Sequence, residues 1–430
     1  MEILIAGGGY IGMYTARRLE KLLRRGEATV TVVDPRGYMT YQPFLAEAAG
    51  GSVEPRHVIA PLPRVLRHTR VLTGKITSID QGSHQATFAP SRGPERVLRY
   101  DVLVMAAGSV PRVPPVEGLA EYGAGFKTVS EAVHLRNHVL GQLAVAASAG
   151  DPAIRAAALT FVVVGGGFAG VEALAELQGL ADEAVRFRPA VEATELRWVL
   201  VEATGRILPE LDERLGEWTL RALRRRGVEV RLHSRLASAA HGTVLLDDGT
   251  ELAAGTLVWA AGVRPSPLGA AAGLPADTSG RIRVGADLAV AGVPGVFAAG
   301  DIAAVPDLSR AGQFCAPNAQ HAVRQAKVLA RNIAAFARGG QLKPYRHAYA
   351  GSVAGLGHHQ GVAQVYRIRL TGFAGWLTHR AYHLFWVPTL GNKARVLADW
   401  ALALFFRRET AELTSLEHPA DDFREALRDA

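Results

Sequence analysis

The sequence predicts an α/β protein with two domains built on parallel sheets, because one strand–glycine–helix pattern occurs twice in its 430 residues. The first copy starts with the apolar stretch Glu2–Ala6, and its glycines at G-x-G-x-x-G spacing are Gly7, Gly9 and Gly12. The second copy starts with Phe161–Val164, and its glycines are Gly165, Gly167 and Gly170. A helical pattern follows each set. Two copies are far more specific than one, which could be any glycine-rich turn.

Each glycine of this pattern has its own physical task. The first allows a tight turn, the second lets the backbone approach a pyrophosphate, and the third lets the helix pack closely on the strand. The helix N-terminus offers unpaired N–H groups to that anion. In each copy the next strand ends in an acid, Asp34 or Glu202, which can bond a ribose hydroxyl. The sequence therefore predicts two Rossmann-like dinucleotide-binding domains, the alternative being a duplicated fold with one inactive site.

The remaining patterns extend these two domains. Residues 70–80 and 86–100 alternate as antiparallel strands do, with turns at Gly82 and Gly93. Helical periodicity predicts helices over 130–149 and 319–337. Three further apolar strands end in turns of small residues, which let the backbone lie against a flat ligand. These turns are Ala106-Ala107-Gly108, Ala260-Ala261-Gly262 and Ala299-Gly300-Asp301.

Composition limits the possible partners and ligands. The net charge of +8 and a pI near 9.8 favour an acidic partner surface, either nucleic acid or anionic lipid. No basic-helix or zinc signature supports nucleic acid, so none is expected. Cys315 is the one cysteine, which excludes a disulfide framework and a thiolate metal site, and no metal is expected. No run reaches the ~18–20 apolar residues that span a bilayer, and a strand at residue 2 leaves no room for a signal peptide, so we expect a chain that is neither translocated nor transmembrane.

The order of these motifs resembles the flavoprotein oxidoreductases with two dinucleotide-binding domains, over about residues 1–340. By that resemblance FAD occupies a domain of residues 1–112 and 270–345, and NADH occupies the inserted residues 113–269. The residues implied to line FAD are Gly7, Gly9, Gly12, Asp34, Ala107, Gly108, Gly300 and Asp301. Those implied to line NADH are Gly165, Gly167, Gly170, Glu202 and Gly262. A carboxylate at Glu202 would repel a 2′-phosphate and favour NADH over NADPH, although Arg206 opposes this.

The number of cysteines distinguishes the enzyme classes within this superfamily. Disulfide reductases and sulfide:quinone oxidoreductases need at least a cysteine pair, whereas residues 41–45 here read Tyr-Gln-Pro-Phe-Leu. Residues 316–325 instead resemble the quinone-side helix start of type II NADH:quinone oxidoreductases, the non-proton-pumping NADH dehydrogenases, whose pattern is A-Q-x-A-x-Q. Gln320 matches the first glutamine, but Arg324 occupies the second position. The alternative interpretation is a capped helix start that packs on the flavin.

Residues 346–430 resemble the membrane-docking end of that family, and we predict that they form a membrane-association region. Apolar and aromatic side chains fall on helical spacing, namely Val396, Leu397, Trp400, Leu404 and Phe405. Basic side chains flank them, namely Lys393, Arg395, Arg407 and Arg408. This pattern suits a helix at the interface of an anionic lipid surface, and a dimer-forming or core helix is the alternative. An acidic tail follows, with Glu412, Glu417, Asp421, Asp422, Glu425 and Asp429.

The resemblance implies hydride transfer from NADH to FAD and then reduction of a membrane quinone, ubiquinone or menaquinone, without proton pumping. It further implies a peripheral homodimer on the cytoplasmic side of the cell membrane. Glu172, in the first turn after the second glycine set, would lie near the nicotinamide and flavin rings, or it could complement the helix dipole. Gln320 would orient the quinone, and His321 could relay protons or be structural. The alternative function is a soluble NADH-dependent flavoprotein reductase with a protein or other non-quinone acceptor.

Overall fold

The computed structural model describes residues 1–347 and 351–413, so the predicted acidic tail beyond Leu413 lies outside it. The strands of the first half are β1 Glu2–Ala6, β2 Thr29–Asp34, β3 Tyr38–Thr40, β4 Ile59–Pro61, β5 Arg70–Asp80, β6 Gln85–Pro90, β7 Arg96–Arg99, β8 Val102–Met105, β9 Ser109–Pro111, β10 Gly123–Gly125, β11 Thr160–Val164 and β12 Arg197–Val201. Those of the second half are β13 Glu229–Arg231, β14 Leu236–Ser238, β15 Thr243–Leu246, β16 Glu251–Ala253, β17 Thr256–Trp259, β18 Val263–Pro265, β19 Ile282–Arg283, β20 Val296–Ala298, β21 Ala303–Ala304, β22 Gly351–Gly355, β23 Gly361–Val365 and β24 Ile368–Thr371.

The α-helices alternate with these strands. They are α1 Tyr10–Leu22, α2 Leu45–Ala49, α3 Leu62–Val65, α4 Leu119–Tyr122, α5 Val129–Ser148, α6 Pro152–Ala158, α7 Phe168–Val185, α8 Glu213–Arg225, α9 Leu268–Ala271, α10 Ala319–Ala337, α11 Gly372–Trp386 and α12 Leu390–Phe405. The helix predicted over 319–337 has those bounds, and the one predicted over 130–149 is α5. The antiparallel stretch predicted over 86–100 is two strands, β6 and β7, because Gly93-Pro94 interrupts it.

The chain divides into two compact units. Unit 1 consists of residues 1–40, 59–112 and 263–349, and unit 2 of residues 41–58, 113–262 and 350–430. The short segment 41–58 therefore leaves the first unit and belongs with the C-terminal part of the chain.

Unit 1 is organised on a sheet with the strand order β20-β8-β1-β2-β5-β6-β7. The strands from β20 to β5 run parallel, and β6 and β7 continue as an antiparallel meander. The residues of β1 from Ile3 to Ile5 are buried, as expected for a strand covered on both faces. The carboxyl ends of β20, β8, β1 and β2 consequently lie side by side, where α/β sheets bind ligands.

Unit 2 repeats this arrangement with the parallel order β10-β17-β11-β12-β13. Its core joins β11, β12 and β17 to the small antiparallel sheet β14-β15-β16. Phe161 stacks on Trp198 with ring centroids 4.4 Å apart, and both rings are buried. The carboxyl ends of β17, β11 and β12 are neighbours, as in unit 1.

The C-terminal part of unit 2 is an antiparallel sheet, β22-β23-β24, followed by α11 and α12. Helix α11 packs on β22 and β23. None of the helices within residues 1–347 and 351–413 has the length and apolarity needed to cross a membrane.

Candidate active site

The first glycine set forms a close strand–helix turn in unit 1. Gly7 has φ +115°, and a Cβ there would lie 2.5 Å from the Ala106 carbonyl oxygen. A Cβ on Gly12 would overlap the Gly7 carbonyl oxygen, whereas Gly9 faces open space and precedes the first residue of α1. The two outer glycines are therefore required by packing. The central one leaves room for a ligand at the helix N-terminus.

Asp34 is bonded to this turn by its side chain. Gly8 N donates to Asp34 Oδ2 at 2.8 Å, and Arg36 N donates to Oδ1 at 2.9 Å. Because each carboxylate oxygen has a second lone pair, the buried group can still accept from a ribose hydroxyl. Sequence analysis missed Gly8, although the run of three glycines in Gly7-Gly8-Gly9 was a signal for it.

The Ala107, Gly108, Gly300 and Asp301 positions lie beyond the ends of β8 and β20, beside this turn. Ser109 Oγ donates to Asp301 Oδ2 at 2.6 Å, and Gly300 N donates to Gln325 Oε1 at 2.8 Å. Gly108 has φ +62° and faces open space. Gln325, one residue beyond the expected second glutamine, is thus buried and supports the turn that carries Asp301.

The second glycine set has the same geometry in unit 2. Gly165 has φ +118°, and a Cβ on Gly170 would overlap the Gly165 carbonyl oxygen. Gly167 faces open space at the start of α7, and so does Gly262 after β17. The open central glycine and the helix N-terminus together suit a pyrophosphate, as they do in unit 1. Both cradles therefore fit a dinucleotide.

Glu202 performs in unit 2 what Asp34 performs in unit 1. Its Oε2 accepts from Gly166 N at 2.6 Å, and its Oε1 accepts from Thr204 N at 2.8 Å. The Arg206 guanidinium donates to the Leu211 carbonyl at 2.6 Å. Because the Arg206 guanidinium binds the backbone of its own loop, it is less able to bind a 2′-phosphate.

Glu172 lies one turn further along α7 than the sequence suggested. The first turn of α7 contains no acidic residue, so the helix-dipole alternative for Glu172 loses its basis. Glu172 Oε1 accepts from Gly355 N at 2.8 Å and lies 3.2 Å from Nε2 of the buried His379. The carboxylate thus joins α7 to the C-terminal sheet and to α11 within unit 2.

Gln320 lies in the first turn of α10 in unit 1, next to a group of aromatic and basic side chains. Its Oε1 is 3.1 Å from His347 Nε2, and the Arg324 guanidinium donates to the Gln320 carbonyl at 3.0 Å. His321 is buried, and its Nδ1 lies 2.9 Å from Tyr345 Oη. Sequence analysis missed His347 and Tyr345, which stand in an irregular segment without a pattern.

Burial and nearby positive charge keep both imidazoles of this group neutral. Burial, followed by Arg324, lowers the pKa of His347 from 6.5 to about 4. Burial also lowers the pKa of His321, although Asp307 opposes it. Arg324 is thus a fixed cation beside neutral hydrogen-bonding groups. Among the residues described in the structure, no three His, Cys, Asp or Glu side chains are grouped so that they could hold a metal ion.

Comparison with known proteins identifies the class of protein to which the chain belongs. Residues 1–326 match the pyridine nucleotide-disulphide oxidoreductase family. The structure of NDH2 from Plasmodium falciparum in complex with NADH superposes with a TM-score of 0.88 at 17% identity, covering 95% of this chain and 99% of that one. At that identity the likeness concerns the fold. The predicted α/β class with two Rossmann-like domains is confirmed.

Two curated relatives identify the family within that class. The type II NADH:quinone oxidoreductase NdhA of Mycobacterium tuberculosis is 30% identical over 94% of this chain and 87% of its own length. The type II NADH:quinone oxidoreductase of Staphylococcus aureus is 29% identical over 86% of this chain and 91% of its own length. The chain belongs to the type II NADH:quinone oxidoreductase family, and the predicted resemblance is confirmed.

Replacing Glu202 with glutamine tests its role in nucleotide choice. The amide oxygen can still accept from Gly166 N, but the negative charge that repels a 2′-phosphate is removed. We expect the ratio of kcat/KM for NADH over NADPH to fall by about tenfold. Arg206→Gln is the matched control and should leave the ratio near that of the parent. Unchanged discrimination in Glu202→Gln contradicts the assignment.

Replacing His347 with glutamine tests its neutrality. The folded-state pKa is about 4 and the unfolded value is 6.5, so the unfolded chain binds a proton first. The parent should lose stability as the pH falls from about 6.5 to about 4, with a slope of up to about one proton from this residue. His347→Gln should flatten that slope in denaturant titrations. His241→Gln, at an exposed histidine in the short 3₁₀ helix Ala240–Gly242, is the control, and equal slopes in both variants refute the interpretation.

Proposed function

We propose that the chain oxidises NADH through FAD and passes the electrons to a membrane quinone, without proton pumping. The observation that carries this is the pair of complete dinucleotide cradles, one in each unit, in a chain of the type II family. We assign FAD to residues 1–112 and 270–345 and NADH to residues 113–269. When bound, FAD supplies the two-electron chemistry that links nicotinamide oxidation to quinone reduction.

The residues of the chain bind and orient the reactants. In unit 1 the glycine turn, Asp34 and Asp301 hold one dinucleotide, and in unit 2 the second turn and Glu202 hold the other. We assign Glu172 to the reacting side of the nicotinamide site. Its carboxylate is fixed by Gly355 N, so its position is set before substrate arrives.

Gln320 is the residue we assign to the quinone headgroup. Its Oε1 lies 3.1 Å from His347 Nε2, and a side-chain amide can donate a hydrogen bond to a quinone carbonyl. Arg324 contributes a fixed positive charge where the family pattern has a neutral glutamine. Such a charge favours the anionic forms that quinones pass through on reduction.

Anaerobic mixing of the purified protein with NADH, followed by a short-chain quinone, tests the activity. We expect NADH to bleach the flavin absorbance and the quinone to restore it rapidly. Bleaching that no quinone reverses would transfer the proposal to the alternative, a reductase for a protein acceptor. A protein that NADH does not bleach has neither activity.

We further propose that the end of α12 enters an anionic lipid surface. Every residue from Ala401 to Arg407 is exposed, and the first six are apolar. The five helical residues among them, 401–405, already cover more than one full turn, so apolar side chains point in all directions around the helix. A protein partner covers one face of a helix, whereas lipid covers all of it. This argument favours lipid over a second copy of the chain as the occupant.

The energetics agree with this assignment. The large side chains Leu402, Leu404, Phe405 and Phe406 are between 56% and 81% exposed. Each gains about 1.5–3 kcal/mol when it is fully removed from water. Arg395 is exposed on the same helix and can attract anionic headgroups, each such contact adding about 1 kcal/mol.

We place the protein on the cytoplasmic side of the membrane. We also propose that it forms a homodimer, and analytical ultracentrifugation measures this oligomeric state.

Replacing Phe405 with alanine should weaken binding to vesicles of phosphatidylcholine and phosphatidylglycerol by about tenfold. The side chain is 81% exposed, so the fold should keep its thermal stability. Tyr122→Ala, which removes another exposed aromatic ring, is the control and should bind as the parent does. Flotation of the vesicles measures both. If the parent protein does not float with the vesicles, the assignment of α12 to lipid is wrong.

A further inference from the structure

A buried carboxylate of segment 41–58 contacts both C-terminal helices. Glu47 lies on α2 and is 4% exposed. The Trp400 indole Nε1 on α12 donates to Glu47 Oε2 at 2.8 Å. The Arg380 guanidinium on α11 lies 3.6 Å from the same oxygen. One carboxylate oxygen therefore connects α2, α11 and α12 within unit 2.

The Arg380 guanidinium is also held between two indole rings. It lies 4.3 Å from the ring centre of Trp376, on its own helix, and 4.5 Å from that of Trp400, on the next helix. Its side chain is 14% exposed, so these cation–π contacts are largely desolvated and correspondingly strong. We call this group the clamp, and its members are Glu47, Trp376, Arg380 and Trp400.

The clamp holds two helices together through a buried ion pair and not through apolar packing alone. Burial raises the pKa of the Glu47 carboxyl, and Arg380 opposes that effect. A buried ion pair adds little net stability compared with apolar packing of the same volume, because both charges lose their hydration. The contacts that orient the group are the hydrogen bond from Trp400 to Glu47 and the placement of the Arg380 guanidinium over both indole rings.

Two further polar contacts flank the clamp. His57 Nδ1 lies 2.7 Å from Asp399 Oδ2, beside α12. Arg408 Nη2 lies 3.0 Å from Glu176 Oε2, on α7. Other side chains of α11 and α12 remain exposed and apolar, namely Phe373, Leu377, Phe385, Leu397, Leu404 and Phe405. Arg380 on α11, and Trp400 and Asp399 on α12, thus turn one side of each helix toward segment 41–58, while these apolar side chains stay exposed.

We propose that the clamp positions α11 and α12 so that their exposed apolar side chains meet the bilayer as one surface. The inference rests on the lipid docking proposed above. The clamp residues themselves are positioning residues, because their side chains are occupied by one another and not by lipid. Losing the clamp should therefore impair the use of lipid-embedded quinone while sparing the chemistry.

Arg380→Met tests this, because methionine keeps the length and apolar bulk but leaves Glu47 without its cation. We expect vesicle binding to weaken by about tenfold and the KM for a long-chain quinone in the vesicles to rise similarly. The kcat with a water-soluble short-chain quinone should stay within about twofold. The double variant Glu47→Gln/Arg380→Met removes both charges and should recover part of the loss. Trp400→Phe keeps a ring but loses the N–H donor, so a smaller effect is expected.

Arg197→Met is the matched control, because it makes the same chemical change at an ion pair between β12 and β13. It should leave vesicle binding unchanged. If Arg380→Met keeps its thermal stability and binds vesicles as the parent does, the clamp inference is overturned. Equal losses with soluble and embedded quinone, together with a lower Tm, also overturn it, because the role is then general stability. A parent that fails to bind vesicles refutes the docking proposal instead.

Discussion

The hydrogen bond from a glycine N–H to an acidic side chain is the interaction on which both nucleotide cradles depend. Asp34 receives it from Gly8 and Glu202 receives it from Gly166. Each bond joins the end of the second strand to the turn after the first strand, so the two parts of the cradle hold one geometry. The bond also demands glycine, since a Cβ on Gly166 would come within 2.9 Å of the Glu202 carboxylate. The middle glycine of each run of three, Gly8 or Gly166, is therefore the one that faces the acid.

Much of the fold and of both cradles could be predicted because their signals are local. The glycine spacing, the apolar strand and the acid at the next strand end all lie within about one strand–helix–strand unit. The bonds of Gly8 and Gly166 could not be predicted in the same way, since a backbone N–H has no sequence signature of its own. His347 was missed for a related reason. It reaches Gln320 from an irregular segment 27 residues away in the chain, where no periodicity marks it.

For the C-terminal helices, hydrophobic periodicity predicts the helix but not which of its side chains face the protein. The spacing predicted an apolar helix correctly, and α12 forms there. It did not separate the side chains that face the protein from those that face outward. Val396 is fully buried and Trp400 turns toward Glu47, whereas Leu404 and Phe405 are exposed. Arg408, predicted as part of a basic border, lies against Glu176. The inward face of α12 bonds residues more than 330 positions earlier in the chain, among them Glu47 and His57, and helical spacing cannot encode such contacts.

The segment that carries this carboxylate is the one that, by the family resemblance, corresponds to the cysteine-bearing helix of disulfide reductases. Here residues 41–58 contain no cysteine, and their side chains bond the C-terminal helices instead. Tyr41 donates to the His383 carbonyl at 3.0 Å, and Glu47 and His57 reach α12. Cys315 cannot substitute for that pair, because it is single and burial raises the pKa of its thiol to about 11, so it remains protonated at neutral pH. Without a cysteine pair, the chain itself supplies no thiol relay between a bound flavin and the acceptor. The same segment instead contacts α11 and α12, and under the docking proposed above these contacts position both helices toward an acceptor in the membrane.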